Sequence, residues 1–259
     1  MGGIRLIVVD LDGTLLRNDK SISSFSKKSI ADARTKGIRF AFASARGAST
    51  ERYIAENLFD AYILCNGAAI YADGKCIRRN RIEPAVYVPF LRGLSQKGIP
   101  VAAEVENLCY ANFAPSEKWP LYAPNVFTDF SDVQNTLGIL ESADKLHAHP
   151  RSADDIAAIE NTLPDFLYLK MSRDGLAMIM HQEATKSNGI KCLAEHYGIE
   201  LSDVAAFGDD VNDIDMLKTV GIGIAMGNAV AEVKQIASEV CLSNEEDGVA
   251  HWIRKFCLS

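Results

Sequence analysis

Ile4-Arg5-Leu6-Ile7-Val8-Val9-Asp10-Leu11-Asp12-Gly13-Thr14-Leu15 is the stretch on which the fold turns. Residues 4–9 are an apolar, largely β-branched run broken only by Arg5, the pattern of a strand buried on both faces. The run stops at two aspartates, two positions apart. In an open α/β sheet, ligands bind just past the carboxyl ends of the strands, which is where these aspartates fall. Downstream, Ser21 and Ser23 precede a helical stretch through Lys36, and Gly37 sits at its C-terminus. Residues 38–43 read as a second buried strand, about 48–58 as a helix and 61–65 as a third strand. This βαβαβ alternation predicts an α/β fold with a Rossmann-like, doubly wound parallel sheet. Asp73-Gly74, between residues 68–71 and 75–79, predicts a hairpin.

The alternation breaks at Glu83-Pro84 and resumes after Thr185. Between them a helix is expected at 85–96, strands at 99–105 and 108–113 across Glu106-Asn107, and helices at 132–140 and 153–163. A second hairpin joins 166–171 to 176–181 across Arg173-Asp174-Gly175. Beyond 185 come helices at 187–197, 213–219, 230–237 and 247–256, and strands at 204–207, 223–225 and 239–242. Residues 1–82 plus 184–259 therefore read as one core domain. Residues 83–183 read as an inserted α/β domain with antiparallel pairs.

Composition bounds the function. The chain has 259 residues, 48% hydrophobic and 24% charged, which is ordinary for a globular protein and excludes disorder or a disulfide miniprotein. A net charge of -7 disfavours non-specific attraction to nucleic acid or anionic lipid. No apolar run approaches the ~18–20 residues of a membrane span, and the N-terminus lacks a signal-peptide pattern. The six cysteines show no metal-ligand spacing and mostly lie in apolar patterns, so free core thiols in a reducing compartment are expected. The expectation is a cytoplasmic protein with no nucleic-acid and no membrane partner. The oligomeric state is not legible.

Four stretches carry chemistry. In Asp10-Leu11-Asp12-Gly13-Thr14-Leu15 one carboxylate can attack a phosphorus while the other hands a proton to the leaving oxygen. Two close carboxylates repel unless a cation joins them, and Mg2+ suits oxygen ligands plus phosphate. Gly13 permits a sharp turn and Thr14 can close it. Gly208-Asp209-Asp210-Val211-Asn212-Asp213 follows a second strand and can complete a metal site, with Asp209 as ligand. Asn212 can orient the phosphate or the nucleophile, and Asp213 can hold a metal-bound water or orient Lys186. An acidic loop capping the next helix is the plainer alternative. Ser44-Ala45-Arg46, after the second strand, offers a hydroxyl and backbone N–H groups to an anion, or simply caps a helix. Lys186, before a helix, can neutralise a phosphoryl oxygen, or lie on the surface.

In order and spacing these four resemble the motifs of the haloacid dehalogenase superfamily of phosphohydrolases. Asp10 to Leu15 resembles its DxDGT motif, Ser44 its second motif, Lys186 its third and Gly208 to Asp213 its GDxxND motif. The insert falls where that superfamily carries a C2-type cap. Ile63-Leu64-Cys65-Asn66-Gly67-Ala68 and Ala225-Met226-Gly227-Asn228-Ala229 resemble signatures of its Cof-type branch, subfamily IIB. The sequence departs from that pattern at Ala45 and Ser187, which the branch usually fills with glycine, and at Glu183, often glycine. The resemblance implies a phosphatase of small phosphorylated metabolites, foremost sugar phosphates, acting through an aspartyl-phosphate. It implies Asp10 as nucleophile, Asp12 as acid and then base, and Mg2+ held by Asp10, the Asp12 carbonyl and Asp209. Ser44, the Ala45 N–H, Lys186 and Asn212 would hold the phosphoryl group, with Thr14 and Asp213 in support. The alternatives on the same fold are a phosphomutase and a non-catalytic phosphosugar-binding regulatory protein.

Weaker features have plainer readings. Gly221 to Gly227 brackets a strand rather than opening a helix, so no dinucleotide site is expected. His147 and His149 alternate as on one strand face, with surface or rim placement expected. Arg78, Arg79 and Arg81 read as a solvated strand end. Trp119, Pro120 and Tyr122, between Pro115 and Pro124, read as an aromatic loop that closes over a site, forms a dimer contact or makes a satellite core.

Overall fold

The computed structural model describes residues 3–105, 108–113, 141–172 and 175–258. They divide into two compact units: Met1–Arg46, Thr50–Arg78 and Thr185–Ser259 in one, Gly47–Ser49 and Arg79–Ala184 in the other.

The first unit is built on an eight-stranded sheet. Its strands are β1 (Leu6–Val9), β2 (Arg39–Ala43), β3 (Ala61–Leu64), β4 (Ala69–Ala72), β5 (Lys75–Arg79), β11 (Val204–Gly208), β12 (Ile222–Ala225) and β13 (Glu239–Val240), in the order β13-β12-β11-β1-β2-β3-β4-β5. β1 lies between β11 and β2, parallel to both, with Val9 level with Phe207 and Phe42. β4 runs antiparallel to β3, and the β4–β5 turn uses Asp73 at φ 50° and Gly74 at φ 76°. Leu6, Ile7, Val8 and Val9 are fully buried because helices cover both sheet faces. Burying each such side chain contributes about 1.5–3 kcal/mol.

Local chemistry sets the helix ends. Ser23 caps Ser24–Thr35 by accepting from the Ser26 N–H, and Gly37 leaves at φ 85°. Thr185 caps Lys186–Tyr197 through the Asn188 N–H, and Gly198 ends it at φ 60°. The helix expected at 48–58 is shorter: a 3-10 turn Ala48–Thr50 followed by Glu51–Ile54. Tighter bonds from Glu56 N–H to Tyr53 O and from Asn57 N–H to Ile54 O replace the α-pattern, and Asn57 turns away at φ 55°.

The second unit has a five-stranded sheet in the order β7-β6-β8-β10-β9. Its strands are β6 (Val101–Val105), β7 (Leu108–Ala111), β8 (Lys145–Ala148), β9 (Leu167–Met171) and β10 (Ala177–His181). One face carries Val101, Ala103, Val105, Leu146, Ala148, Ala177 and Ile179 into a core with Tyr87, Leu91 and Leu94 of the helix Pro84–Gln96 and Ile159 of Ala153–Glu160. Period-two alternation sends Glu104, Lys145 and His147 to the opposite face.

β8 is a strand the sequence reading did not assign, because its polar positions mask the pattern. Its His147 is buried rather than at a rim, 2.7 Å from Glu104, and His149 is also buried. Arg79 and Arg81 are not merely solvated: both pair with the buried Asp144. All six cysteines are free, but only Cys65 and Cys192 are buried. The helix expected at 132–140, the Trp119 loop and the turns Glu106-Asn107 and Arg173-Asp174 lie outside the described residues. No described helix is long and apolar enough to cross a membrane.

Candidate active site

Three parallel strands deliver the site. β1 ends at Asp10, whose N–H donates to the Phe207 carbonyl of β11. β11 ends at Gly208, and Asp209 and Asp210 follow it into the 3-10 turn Val211–Asp213. Asp213 turns back to accept from the N–H groups of Asp209 and Asp210 at 3.0 and 3.1 Å. Gly208 must lack a side chain here, since a Cβ would strike the Asp213 carboxylate.

Lys186, the first residue of its helix, is brought in from below. A Cβ on Gly67, at φ 118°, would overlap the Thr185 backbone, so glycine lets the loop after β3 pass under that helix. The Lys186 ammonium lies 2.5 Å from Asp10 Oδ1 and 2.7 Å from Asp213 Oδ1, and all three residues are buried. Thr14 donates to Asp209 Oδ1 at 3.2 Å.

The electrostatics follow from burial. Desolvation pushes the Asp10 carboxyl well above its usual range; the Lys186 charge opposes this, while Asp213 and Asp209 reinforce it. Desolvation alone would lower Lys186, but the charges of Asp10 and Asp213 prevail and hold it firmly protonated. Carboxylate oxygens of Asp10, Asp209 and Asp213 all lie within 4.8 Å of one another. Three buried carboxylates against one ammonium leave excess negative charge in low dielectric. That donor set, all oxygen and under-neutralised, fits a hard divalent cation.

Asp12 faces elsewhere. Its carboxylate is 36% exposed and receives Arg46 Nε on Oδ2 and Arg46 Nη2 on Oδ1, both at 2.6 Å, with Lys20 Nζ on Oδ1 at 2.8 Å. Burial would raise its pKa, but the bonds from Lys20 and Arg46 bring it below the usual value. Ser44 is buried at the end of β2; its Oγ accepts from the Arg46 N–H at 3.1 Å. Ala45 has no left-handed φ, so its backbone does not require the family's glycine. Asn212 Oδ1 is buried without a hydrogen-bond partner. Ser187 Oγ lies 3.0 Å from Thr185 Oγ1, and the Glu183 carbonyl accepts from Asn80.

The structure thus gathers Asp10, Asp209, Asp213, Lys186 and Thr14 into one cluster, with Asp12 paired to Arg46 and Lys20. Sequence reasoning gave no role to Arg46, Lys20, Asn228 or Asn244. Asn228 donates to the Gly13 carbonyl at 2.8 Å and accepts from the Asn244 N–H, while Asn244 donates to the Leu16 carbonyl. These two amides brace the turn after Asp12. The available signal was Arg46 itself, a cation two residues beyond Ser44 in the loop that follows β2, the strand beside β1.

Comparison with known proteins gives the family. Residues 7–253 match the family model of the haloacid dehalogenase-like hydrolases. A Haemophilus influenzae protein is 30% identical over 269 residues, covering 95% of each chain. A 5-amino-6-(5-phospho-D-ribitylamino)uracil phosphatase of Bacillus subtilis is 29% identical over 264 residues, covering 97% of each. A solved sugar phosphatase of HAD subclass IIB superposes with a TM-score of 0.82 at 25% identity, covering 97% of this chain and 98% of that one.

Proposed function

The chain belongs to the haloacid dehalogenase-like hydrolases, in the Cof-type subclass IIB branch, and is a phosphatase; from that premise we propose a Mg2+-dependent hydrolase of small phosphorylated metabolites, sugar phosphates above all, that works through an aspartyl-phosphate. One observation carries the reading: a buried cluster of three carboxylates and one lysine, with a fourth carboxylate, Asp12, two residues from Asp10.

In the first step an Asp10 oxygen bonds to the substrate phosphorus, the bond to the alcohol oxygen breaks, and Asp12 gives that oxygen a proton. In the second, Asp12 takes a proton from water as the water oxygen bonds to phosphorus. The Asp10–phosphorus bond breaks and inorganic phosphate leaves. Lys186 fixes Asp10 through Oδ1 and, with the Ser44 hydroxyl and the Ala45 N–H, offsets charge on the phosphoryl oxygens. Asn212 assists at the rim of this cradle, Asp213 aims Lys186, and Thr14 holds Asp209. Asp10, Asp209 and the Asp12 backbone carbonyl are the residues that would hold Mg2+. When bound, the ion supplies the positive charge that lets a carboxylate approach a phosphate. The unit Arg79–Ala184 acts as the cap that selects the substrate. Sugar phosphates are favoured because one relative is a 5-amino-6-(5-phospho-D-ribitylamino)uracil phosphatase and one structural neighbour is a sugar phosphatase.

The test is phosphate release from hexose, pentose and triose phosphates, nucleotides and pyridoxal phosphate. It compares Mg2+ with chelator, and wild type with Asp10→Asn under a deamidation control. Release should need Mg2+, fall by about 1,000-fold or more in the variant, and be fastest among sugar phosphates. Release that survives chelation overturns the metal, release that survives Asp10→Asn overturns the nucleophile, and a preference for nucleotides overturns the substrate class.

A further inference from the structure

Asp12 must exchange a proton with two oxygens in turn, the leaving alcohol and the attacking water. A carboxylate on a free side chain would rotate and present either oxygen. Here it cannot. An ionised carboxylate offers about four lone-pair sites. Arg46 fills one on Oδ2 and one on Oδ1 as a two-pronged fork, and Lys20 fills the second on Oδ1. One site remains, on Oδ2.

The fork is itself anchored. The Arg46 N–H donates to Ser44 Oγ at 3.1 Å, and its carbonyl accepts from the Cys65 N–H at 3.0 Å. Ser44 and Cys65 follow β2 and β3, so the Arg46 backbone is tied to two strand ends while its side chain grips the residue beyond a third, β1. Lys20 holds its place with a left-handed φ of 66°, and its carbonyl accepts from the Tyr53 hydroxyl. A planar guanidinium with paired donors fixes an angle as well as a distance, which an ammonium does not.

We propose that Arg46 is a positioning residue whose fork locks the Asp12 carboxylate so that the catalytic proton leaves and returns through Oδ2, with Lys20 as a secondary prop. The inference rests on the reading of Asp12 as the acid and base. In the first step the Oδ2 proton passes to the leaving oxygen as its bond to phosphorus breaks. In the second, Oδ2 recovers a proton from water as the Asp10–phosphorus bond breaks. Arg46 touches neither reacting oxygen in either step.

The test uses p-nitrophenyl phosphate and phenyl phosphate, which are nearly the same shape. Phenolate leaves poorly without a proton, whereas p-nitrophenolate leaves without one. kcat/KM reports the first step alone, so it isolates the acid. Arg46→Lys should lower kcat/KM for phenyl phosphate about 10- to 100-fold, the cost of a misplaced group, and for p-nitrophenyl phosphate about 3-fold or less. Added methylguanidine, but not methylamine, should restore part of the loss in Arg46→Ala, and Lys20→Met should show a smaller bias of the same sign. Melting curves confirm that each variant is folded. Wild-type activity in Arg46→Lys, equal losses on the two esters, or rescue by methylamine overturns the proposal. Asp12→Asn separates the two readings. If it too fails to discriminate between the esters, the acid–base role of Asp12 falls; if it discriminates and Arg46→Lys does not, only the role of Arg46 falls.

Discussion

Each unit buries a charged cluster, and the two differ in balance. At the end of β1, Lys186 stands between Asp10 and Asp213, with Asp209 nearby. On the sheet of the second unit, Lys145 lies 2.9 Å and His147 2.7 Å from the same oxygen of Glu104. Burial would raise Glu104, but Lys145 and His147 bring it far below its usual range. Burial and the Lys145 charge lower His147 and keep it neutral. The second triad therefore pairs one anion with one cation. The first has anions to spare. Charge left uncompensated in low dielectric is costly unless something else arrives to meet it, which is why the first cluster reads as a site and the second as structure.

That contrast can be broken at several points. The largest expected effect is in the balanced triad. Lys145→Met removes the ammonium beside the buried Glu104 carboxylate and should cost about 3–5 kcal/mol in urea unfolding, whereas Glu104→Met with Lys145→Met together should return most of it. If the double variant is as unstable as the single one, the triad is not self-contained. In the unbalanced cluster, Lys186→Met should reduce phosphate release about 100- to 1,000-fold. It should also make added Mg2+ more stabilising than in wild type, since the ion then meets more unpaired charge; an unchanged melting response would refute this. Wild type should gain up to about 2.7 kcal/mol at 100-fold excess of Mg2+ over its Kd. Asp209→Asn should lose that gain, and a full response would remove Asp209 from the site.

The smallest effect is a pH slope. The folded pKa of His147 is depressed, so below its unfolded value of about 6.5 the unfolded chain binds the extra proton and stability falls as pH falls. The slope is at most about 1.4 kcal/mol per pH unit. Hydrogen exchange of β6 and β8 amides between pH 7 and 5.5 should show it, and His147→Gln should flatten it. An identical slope in the variant would assign the effect elsewhere.

The contrast also explains what was legible in the sequence. Asp10 to Leu15 and Gly208 to Asp213 were readable because each packs its functional groups into a few consecutive residues behind an apolar strand. The Rossmann-like sheet was readable from the same strands. The Arg46–Asp12 fork was not, because it depends on β2 lying beside β1, a fact of strand order rather than spacing. β8 was missed for a related reason. Lys145-Leu146-His147-Ala148 alternates like a strand, but its polar residues are buried, and burial of Lys145 makes sense only once Glu104 is seen opposite it. The helix expected at 48–58 was overextended because propensity does not reveal where i→i+3 bonds take over.

One feature of the sheet reaches beyond catalysis. Leu6 of β1 pairs with Val204 of β11, and the whole second unit is encoded between them. During synthesis this wholly apolar, fully buried strand therefore emerges early and keeps one edge open until the ribosome has delivered residues past 204. An open apolar edge is a template for pairing with other chains. Chains that stop before β11 will thus accumulate in aggregates rather than as folded fragments, while the inserted unit, encoded from Arg79 to Ala184 apart from the short stretch Gly47–Ser49, can form its own sheet while translation is still under way.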